Sequence, residues 1–277
     1  MSRLAKVRRR ARIRGLQRRI ARGVEPAGSF IPHRRPAAAA GAQALRPLFE
    51  AARPAFAELA QRIETYGDAF ARFGGVAPAP RFAQDWFPGL DAAALYTVVR
   101  ESRPARIVEI GSGHSTRVSA RAIADGGLAT ALVAVDPEPR AALAGLPVAW
   151  HRSPVQAMEP TLVAGLGAGD ILFVDSSHVL VAGSDVAFVF TELLPRLPTG
   201  ALLHVHDIFL PDPYPAGWAW RGYNEQPAVA GLLAGGFEPL FASWWIRRHA
   251  PDLLGPVARG LPRPPGALET SLWLRRR

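Results

Sequence analysis

Small and acidic residues follow two apolar segments of the sequence in a pattern that suits ligand binding. Glu109-Ile110-Gly111-Ser112-Gly113 ends the first segment, and Asp136 ends the next, 25 residues after Gly111. Two glycines let the backbone turn tightly and approach a ligand, because neither carries a Cβ. A carboxylate after the second segment can accept hydrogen bonds from both hydroxyls of a ribose, although Asp136 can equally cap a helix after Pro137. The pattern favours a nucleotide-like ligand.

Histidines and carboxylates follow two later apolar segments and suit proton transfer. Asp175-Ser176-Ser177-His178 follows one of them, and His204-Val205-His206-Asp207 ends the other. A neutral histidine near its ordinary pKa is a general base at neutral pH, so we expect His206 or His178, with Asp207 beside them, to act on a substrate hydroxyl. His204 shares a strand face with His206 but lies deeper. The alternative is that these imidazoles only bond the loop backbone.

The elements that must position these residues are predicted by short apolar runs that alternate with helical segments. The runs cover residues 106–110, 131–135, 147–150, 170–174, 201–205, 239–245 and 270–274. Helices are expected to begin near Thr116, Glu138, Pro154 and Ser184. Asp91 is expected to cap a helix that ends near Arg100. This alternation is typical of a parallel sheet with helices on both faces, whose ligands lie beyond the carboxyl ends of the strands.

The beginning of the chain differs from this pattern. Residues 1–35 contain twelve Lys and Arg against the single acid Glu25, so they form a basic tail that is either an amphipathic helix or a disordered arm. Such a tail can contact an anionic membrane surface or nucleic acid. In residues 36–84, apolar side chains recur every three or four residues from Phe56 to Phe73, which predicts a helical cover. Residues 85–277 form the third predicted unit.

Composition excludes several classes of function. The 277 residues include no cysteine, which excludes disulfides, thiolate zinc sites and cysteine nucleophiles. Lys6 is the only lysine, so Schiff-base enzymes and Walker-type phosphate loops are excluded as well. The net charge of +10 lies in the tail, because residues 36–277 carry 21 basic and 22 acidic groups. With no uncharged apolar run of roughly 18 residues, we expect a cytoplasmic protein that can also lie peripherally at a membrane.

Taken together, the motifs resemble the class I S-adenosylmethionine-dependent methyltransferases, in a small-molecule branch. The resemblance rests on residues 108–116, Asp136, residues 170–178 and residues 204–211, which occur in the family's order at the ends of successive strands. Tyr223-Asn224-Glu225-Gln226 also resembles that branch. The match covers residues 85–277. It implies a Rossmann-like, seven-stranded, mainly parallel sheet whose last strand is antiparallel.

The resemblance also implies roles for individual residues. Glu109 and the backbone of Gly111, Ser112 and Gly113 would hold the amino-acid part of S-adenosylmethionine, and Asp136 would hold its ribose. The adenine edge would lie near residues 153–156. Asp175 and Ser176 would border the methyl group. The reaction would be an in-line displacement in which the enzyme aligns acceptor and methyl donor and excludes water.

A divalent cation is an alternative that the sequence does not favour. Asp175 and Asp207 occupy strand-end positions that resemble the cation ligands of catechol-type O-methyltransferases, and carboxylates with an imidazole suit Mg²⁺ or Mn²⁺. The match is incomplete. Those enzymes place Asn or Asp after the second acid, where this chain has Ile208, and they use a lysine that residues 36–277 lack. Metal ligands are therefore left unassigned.

The most consistent function is methylation of an oxygen, or of a nitrogen, of a small-molecule acceptor. Residues 211–223 combine prolines with aromatic side chains, which suits a lid over that acceptor. An NAD-type oxidoreductase is the competing enzyme, but Thr116 stands where its loop needs a third glycine. The alternative outside enzymes is a catalytically silent binding module held in place by the basic tail.

Overall fold

Seven strands form one sheet in the computed structural model, which describes residues 14, 15, 17–19, 22 and 41–277. The strands are β1 (Arg106–Ile110), β2 (Ala131–Val135), β3 (Ala149–His151), β4 (Ile171–Val174), β5 (Leu202–Val205), β6 (Phe237–Ala242) and β7 (Leu272–Arg276). Their order is β3-β2-β1-β4-β5-β7-β6. Strands β1 to β5 pair in parallel, and β7 is antiparallel to both β5 and β6. The predicted Rossmann-like, mainly parallel sheet is confirmed.

Ten helices accompany the sheet in the described residues. They are α1 (Arg46–Ala51), α2 (Arg53–Glu64), α3 (Gly67–Phe70), α4 (Gly89–Ser102), α5 (His114–Gly126), α6 (Thr161–Ala164), α7 (Asp185–Phe188), α8 (Gln226–Ala234), α9 (Ser243–His249) and α10 (Pro256–Gly260). A π-helical turn, Val189–Leu193, extends α7. Short 3₁₀ turns lie at Gln43–Leu45, Val155–Ala157, Leu194–Arg196, Ala216–Arg221 and Pro251–Leu253. Together α4 and α5 bury most of their residues against the sheet.

Two local predictions were wrong. No helix begins near Glu138, because Pro139 disfavours the helical conformation of the residue before it. Strand β6 ends at Ala242, so the predicted run to residue 245 is too long: Trp244 and Trp245 lie in α9. The ring of Trp245 is fully buried near Phe56, 5.3 Å between centroids.

The apolar stripe from Phe56 to Phe73 spans two helices instead of one. Helix α2 ends at Glu64 and α3 begins at Gly67, where a Cβ would lie 3.0 Å from Val257 Cγ2. Phe56, Ile63 and Phe70 are nevertheless buried, as their spacing predicts. The boundaries proposed for the helical cover, 36 and 84, stay predictions.

Two compact units divide the chain, Met1–Ala39 and Ala40–Arg277. Within the first unit, residues 14, 15 and 17–19 are helical. The rest of the predicted basic tail lies outside the described residues. No described helix is both long and apolar enough to cross a membrane.

Candidate active site

A cavity of about 590 Å³ lies beyond the carboxyl ends of β1, β2, β4 and β5. This is the edge where parallel sheets bind ligands, next to the point between β1 and β4 at which the strand order reverses. Eight of the residues predicted for the site line the cavity: Gly111, Ser112, Asp136, Asp175, Ser176, His178, His206 and Asp207. Glu109 and Gly113 are not among the lining residues. The cavity thus brings together residues from four strand ends.

The glycine turn after β1 packs directly against the end of β4. Gly111 has a φ of +77°, and a Cβ at this position would lie 1.7 Å from the carbonyl oxygen of Asp175. Its N–H donates to the carbonyl of Val135, which ends β2. No residue with a side chain fits this position without moving one of the strand ends. The turn therefore gives α5 a fixed starting point at His114.

Asp136 lies at the end of β2 and accepts three hydrogen bonds. The backbone N–H and the hydroxyl of Ser112 donate to its Oδ2 at 2.6 and 3.1 Å, and the N–H of Glu138 donates to Oδ1 at 2.7 Å. An ionised carboxylate accepts about four hydrogen bonds, so Oδ1 keeps one position for a ligand hydroxyl. Asp136 closes a turn rather than capping a helix, and it connects the glycine turn to the second strand.

Glu109 lies behind the glycine turn. Its side chain is buried, Oε1 accepts a bond from Ser115 Oγ at 2.5 Å, and Oε2 has no partner in the described residues. Burial raises the pKa of Glu109 to about 8, although the hydroxyls of Ser115 and Thr116 act in the opposite direction. Ser115, not Glu109, lines the cavity. The predicted contact of Glu109 with the amino-acid part of the cofactor stays a prediction.

Two histidines and two carboxylates meet on the floor of the cavity. Asp175 Oδ1 lies 3.3 Å from His178 Nε2 and 3.4 Å from His206 Nδ1. The Asp207 carboxylate lies 3.5 Å from His178 Nε2 through Oδ2 and 3.6 Å from His206 Nδ1 through Oδ1. His178 and Asp207 both have positive φ angles, 59° and 54°. Backbone strain at a binding site usually has a functional reason.

Each of these histidines has a further buried carboxylate on its other ring nitrogen, which sequence reasoning missed. Glu225 Oε1 lies 2.5 Å from His178 Nδ1, and Asp91 Oδ2 lies 3.3 Å from His206 Nε2. Asp91 is not the helix cap that the sequence predicted. It lies inside the first turn of α4 and accepts bonds from the backbone N–H groups of Thr270 and Ser271.

The electrostatics contradict the expectation that these histidines keep an ordinary pKa. Burial lowers the pKa of His178, but the charge and hydrogen bonds of Glu225 and Asp175 raise it by more, to well above 6.5. Burial likewise lowers the pKa of His206, and Asp175 and Asp207 raise it by more. Burial raises the pKa of Asp175, but both imidazoles bring it well below its usual range. The surrounding carboxylates therefore favour the protonated form of both histidines.

His204 differs from its two neighbours. It is fully buried, bonds to Ser271 Oγ at 2.8 Å, and does not line the cavity. Burial and the nearby charge of His206 lower its pKa well below 6.5. It stacks on Phe173 with ring centroids 3.9 Å apart. His204 therefore acts as a neutral core residue.

Aromatic residues border the cavity at two points. In the predicted lid, Tyr223 lines the cavity and its ring centroid lies 4.6 Å from that of His178. The Arg221 guanidinium lies 3.7 Å from the centroid of Trp218 and 3.8 Å from Asp207 Oδ2. At the other point, outside the predicted site, Trp86 is half-exposed and lies under the guanidinium of Arg140, both lining the cavity.

The predicted adenine edge is only partly at the cavity. Pro154, Val155 and Gln156 line it, whereas Ser153 does not. Val155 and Gln156 belong to a 3₁₀ turn, Val155–Ala157, whose first two residues line the cavity. Ser153 is held instead by a backbone bond to the carbonyl of His151.

The carboxylates do not form a metal site in the part of the chain that the structure describes. No group of three or more His, Asp or Glu there is arranged to hold a metal ion. Asp175 and Asp207, the residues at cation-like positions in the sequence, contact the two imidazoles instead. No step of the chemistry is therefore assigned to a cation.

Comparison with known proteins relates this site to one class of enzyme. A family model described as a methyltransferase domain matches residues 108–208, which run from β1 to the residue after Asp207. The matched part, less than half of the chain, is therefore similar to a methyltransferase domain. No curated protein matches the chain. The match favours a methyltransferase over the oxidoreductase alternative.

Solved methyltransferases with a similar fold include two with bound ligands. PaMTH1 of Podospora anserina, solved with S-adenosylhomocysteine, is 20% identical with a TM-score of 0.45, over 79% of this chain and 96% of that one. MycE of the mycinamycin biosynthetic pathway, solved with Mg, S-adenosylhomocysteine and mycinamycin VI, is 19% identical with a TM-score of 0.37. That match covers 64% of this chain and 47% of MycE.

The cavity has polar groups left for S-adenosylmethionine, the cofactor that the sequence resemblance implies. Ser176 Oγ and His114 Nδ1 belong to lining residues and are buried without a partner in the described residues. Asp136 retains one acceptor position, whereas the N–H groups of the glycine turn already donate to Val135, Asp136 and Thr116. These groups fit a ligand that carries both hydroxyl and amino-acid functions.

Proposed function

We propose that the methyltransferase transfers a methyl group to an oxygen of a small molecule, above Asp175, His178, His206 and Asp207. The observation that carries this proposal is the convergence of His178 Nε2 and His206 Nδ1 on one oxygen of Asp175, at 3.3 and 3.4 Å. A hydroxyl must lose its proton as it gains a methyl group, so it needs a proton-accepting group beside it. Residues at the tips of β4 and β5 supply that group.

His178 is the proposed base. Glu225 occupies its Nδ1, so Nε2 is the nitrogen that faces the cavity and exchanges a proton with the acceptor. The surrounding carboxylates raise the pKa of His178, which makes the neutral imidazole a stronger base and moves its working range above neutral pH. His206, on the other side of Asp175, is the alternative base. Asp207 holds both rings in place.

The remaining residues of the site bind and align. S-adenosylmethionine supplies, when bound, a methyl group on a positively charged sulfur. Asp136 and the glycine turn are proposed to hold its ribose and its amino-acid part. Tyr223 offers an aromatic plane beside His178, which suits a planar or apolar acceptor and excludes water. The cavity volume of about 590 Å³ is typical of small-molecule sites.

The test is methyl transfer by the full-length protein from radiolabelled S-adenosylmethionine to a panel of phenols, alcohols and amines. We expect products methylated on oxygen. His178→Ala and His206→Ala should lower turnover and leave the affinity for S-adenosylhomocysteine unchanged. Methylated amines alone would refute the choice of oxygen. A folded protein that binds S-adenosylhomocysteine and methylates nothing in the panel would favour the silent binding module.

A further inference from the structure

A carboxylate that the predicted site does not include lies directly behind His178. Glu225 is fully buried, and its Oε1 lies 2.5 Å from His178 Nδ1. In the described residues this is the one hydrogen bond found for the carboxylate, since Oε2 is buried without a partner. Burying a charged group is costly unless it is paired. Glu225 therefore has a specific use at this position.

The position of Glu225 favours its negative charge. It immediately precedes α8, a helix of nine residues, and its own carbonyl accepts the first backbone bonds of that helix, from Ala228 and Val229. The N-terminus of a helix carries a partial positive charge that stabilises an anion. The carboxylate of Glu225 is thus placed to accept a hydrogen bond from the His178 imidazole.

Glu225 is not needed to hold the neighbouring chain segments together, because Asn224 already does so. The N–H of Asn224 donates to the carbonyl of His178 at 3.0 Å. Its side chain accepts from the N–H of Leu180 at 2.6 Å and donates to the carbonyl of Leu180 at 3.3 Å. Three hydrogen bonds therefore join residues 178–180 to residue 224 without any contribution from the Glu225 carboxylate.

The Asp91 carboxylate, on the other side of the cluster, makes different contacts from that of Glu225. Its carboxylate also approaches a histidine, His206, but it accepts backbone bonds from Thr270 at 2.9 Å and from Ser271 at 3.0 Å. Those bonds connect α4 to the segment before β7, which is a structural use. The Glu225 carboxylate has no such backbone partner in the described residues.

We propose that Glu225 is a positioning residue for the methyl-transfer reaction. Its carboxylate accepts the Nδ1 proton of His178 and fixes the plane of the ring. Proton exchange with the acceptor is thereby restricted to Nε2, which lies beside Asp175 and Asp207. A buried carboxylate behind a catalytic imidazole has this effect in other enzymes. The proposal rests on the proposed function, in which His178 is the base.

The experiment compares four variants of the full-length protein: Glu225→Ala, Glu225→Gln, Asn224→Ala and His178→Ala. Turnover is measured with the best acceptor from the panel of phenols and alcohols, and the affinity for S-adenosylhomocysteine is measured by calorimetry. A second readout is the low-field N–H proton of His178 Nδ1 in protein labelled with ¹⁵N-histidine. This signal reports the hydrogen bond to Glu225 without any acceptor.

We expect Glu225→Ala to lower kcat about 100-fold or more, which is the range of a general base that has lost its orientation. Its cofactor affinity should stay at the wild-type value. Glu225→Gln keeps an oxygen that can accept the Nδ1 proton of His178 but loses the negative charge. Its kcat should therefore lie between that of the wild type and that of Glu225→Ala. The low-field signal should disappear in Glu225→Ala and His178→Ala and remain in Asn224→Ala, which keeps the carboxylate of Glu225 and the imidazole of His178.

Wild-type turnover in both Glu225 variants would overturn the proposal, as would a low-field signal that persists in Glu225→Ala. Equal losses of kcat and cofactor affinity would show a structural role instead. If Glu225→Ala does not fold, the kcat and the low-field signal of Glu225→Gln test the proposal in its place. Full activity of His178→Ala would refute the proposed base, whereas an inactive His178→Ala beside a fully active Glu225→Ala would refute the role of Glu225 alone. If the wild type methylates no acceptor, the proposed function fails and the signal alone tests the hydrogen bond.

Discussion

The buried carboxyl of Glu109 should make the stability of the fold depend on pH, and Glu109→Gln should remove that dependence. Only 1% of Glu109 is exposed, and one of its oxygens has no partner in the described residues. Burial raises its pKa from 4.5 to about 8. Gln has the shape of the protonated carboxyl and keeps an oxygen for the bond from Ser115, so the substitution imitates the folded protein at low pH.

The sign and size of the effect follow from proton linkage. Between pH 4.5 and about 8 the unfolded chain has lost a proton that the folded protein keeps, so the free energy of unfolding falls as the pH rises. One unit of pKa corresponds to about 1.4 kcal/mol. The whole shift is therefore worth roughly 5 kcal/mol, of which about 4 kcal/mol is lost between pH 5 and pH 8.5.

The assay is urea unfolding of the wild type and of Glu109→Gln at about pH 5 and pH 8.5. The two proteins should have similar stability at the lower pH, and the variant should be more stable by several kcal/mol at the higher pH. Because the comparison is made at each pH, the titrations of His178, His206 and Asp175 affect both proteins alike and cancel. A difference in stability that does not change with pH would refute the reasoning about Glu109.

Three further predictions concern the cofactor and the base. Asp136→Ala should weaken binding of S-adenosylhomocysteine by about tenfold or more in calorimetry, since one charge-assisted hydrogen bond is worth roughly 1.5–3 kcal/mol; unchanged affinity would contradict the ribose assignment. Gly111→Ala should abolish the binding of S-adenosylhomocysteine, because its Cβ would lie 1.7 Å from the carbonyl of Asp175. The control Gly231→Ala, with no atom within 4 Å of the new Cβ, should bind S-adenosylhomocysteine normally. The value of kcat should rise with pH through a midpoint above 6.5, because only neutral His178 accepts a proton and its pKa is raised; a rate that falls over this range would contradict the proposed base.

The sheet could be predicted from the sequence because its signals are local. Each strand is a short apolar run, and the residues after the runs are those that line the cavity. The rule that parallel strands end at a common edge then brings Gly111, Asp136, Asp175 and Asp207 together, with no knowledge of their distances. The orientation of the strands, with the last one antiparallel, followed from the resemblance rather than from the pattern.

The partners of the histidines could not be predicted, because they come from distant parts of the chain. Asp91 is 115 residues from His206, and Glu225 is 47 residues from His178. Asp91 had a local interpretation as a helix cap, and nothing in the sequence indicated that its carboxylate would bond to the segment before β7. The pKa of His178 is raised chiefly by Glu225, so an ordinary pKa was the natural expectation from sequence for that residue. The pKa of His206 is raised chiefly by Asp175 and Asp207, which the sequence placed at neighbouring strand ends.

The helix expected near Glu138 was wrong for a different reason. The dipeptide Asp136-Pro137 is typical of the start of a helix, because Asp is favoured at the N-cap and Pro is favoured in the first turn. In the structure the Asp136 carboxylate bonds to Ser112 as well as to Glu138, so the tertiary contact determines the conformation of the turn. A second proline at position 139 was the local signal against a helix.

The central claim is that the cavity beyond β1, β2, β4 and β5 binds S-adenosylmethionine. Its most direct test is calorimetric titration of the full-length protein with S-adenosylhomocysteine, repeated with Asp136→Ala. The account predicts micromolar binding with one site per chain, and weaker binding by the variant. A wild-type sample that unfolds cooperatively, and is therefore folded, but binds no S-adenosylhomocysteine would contradict it.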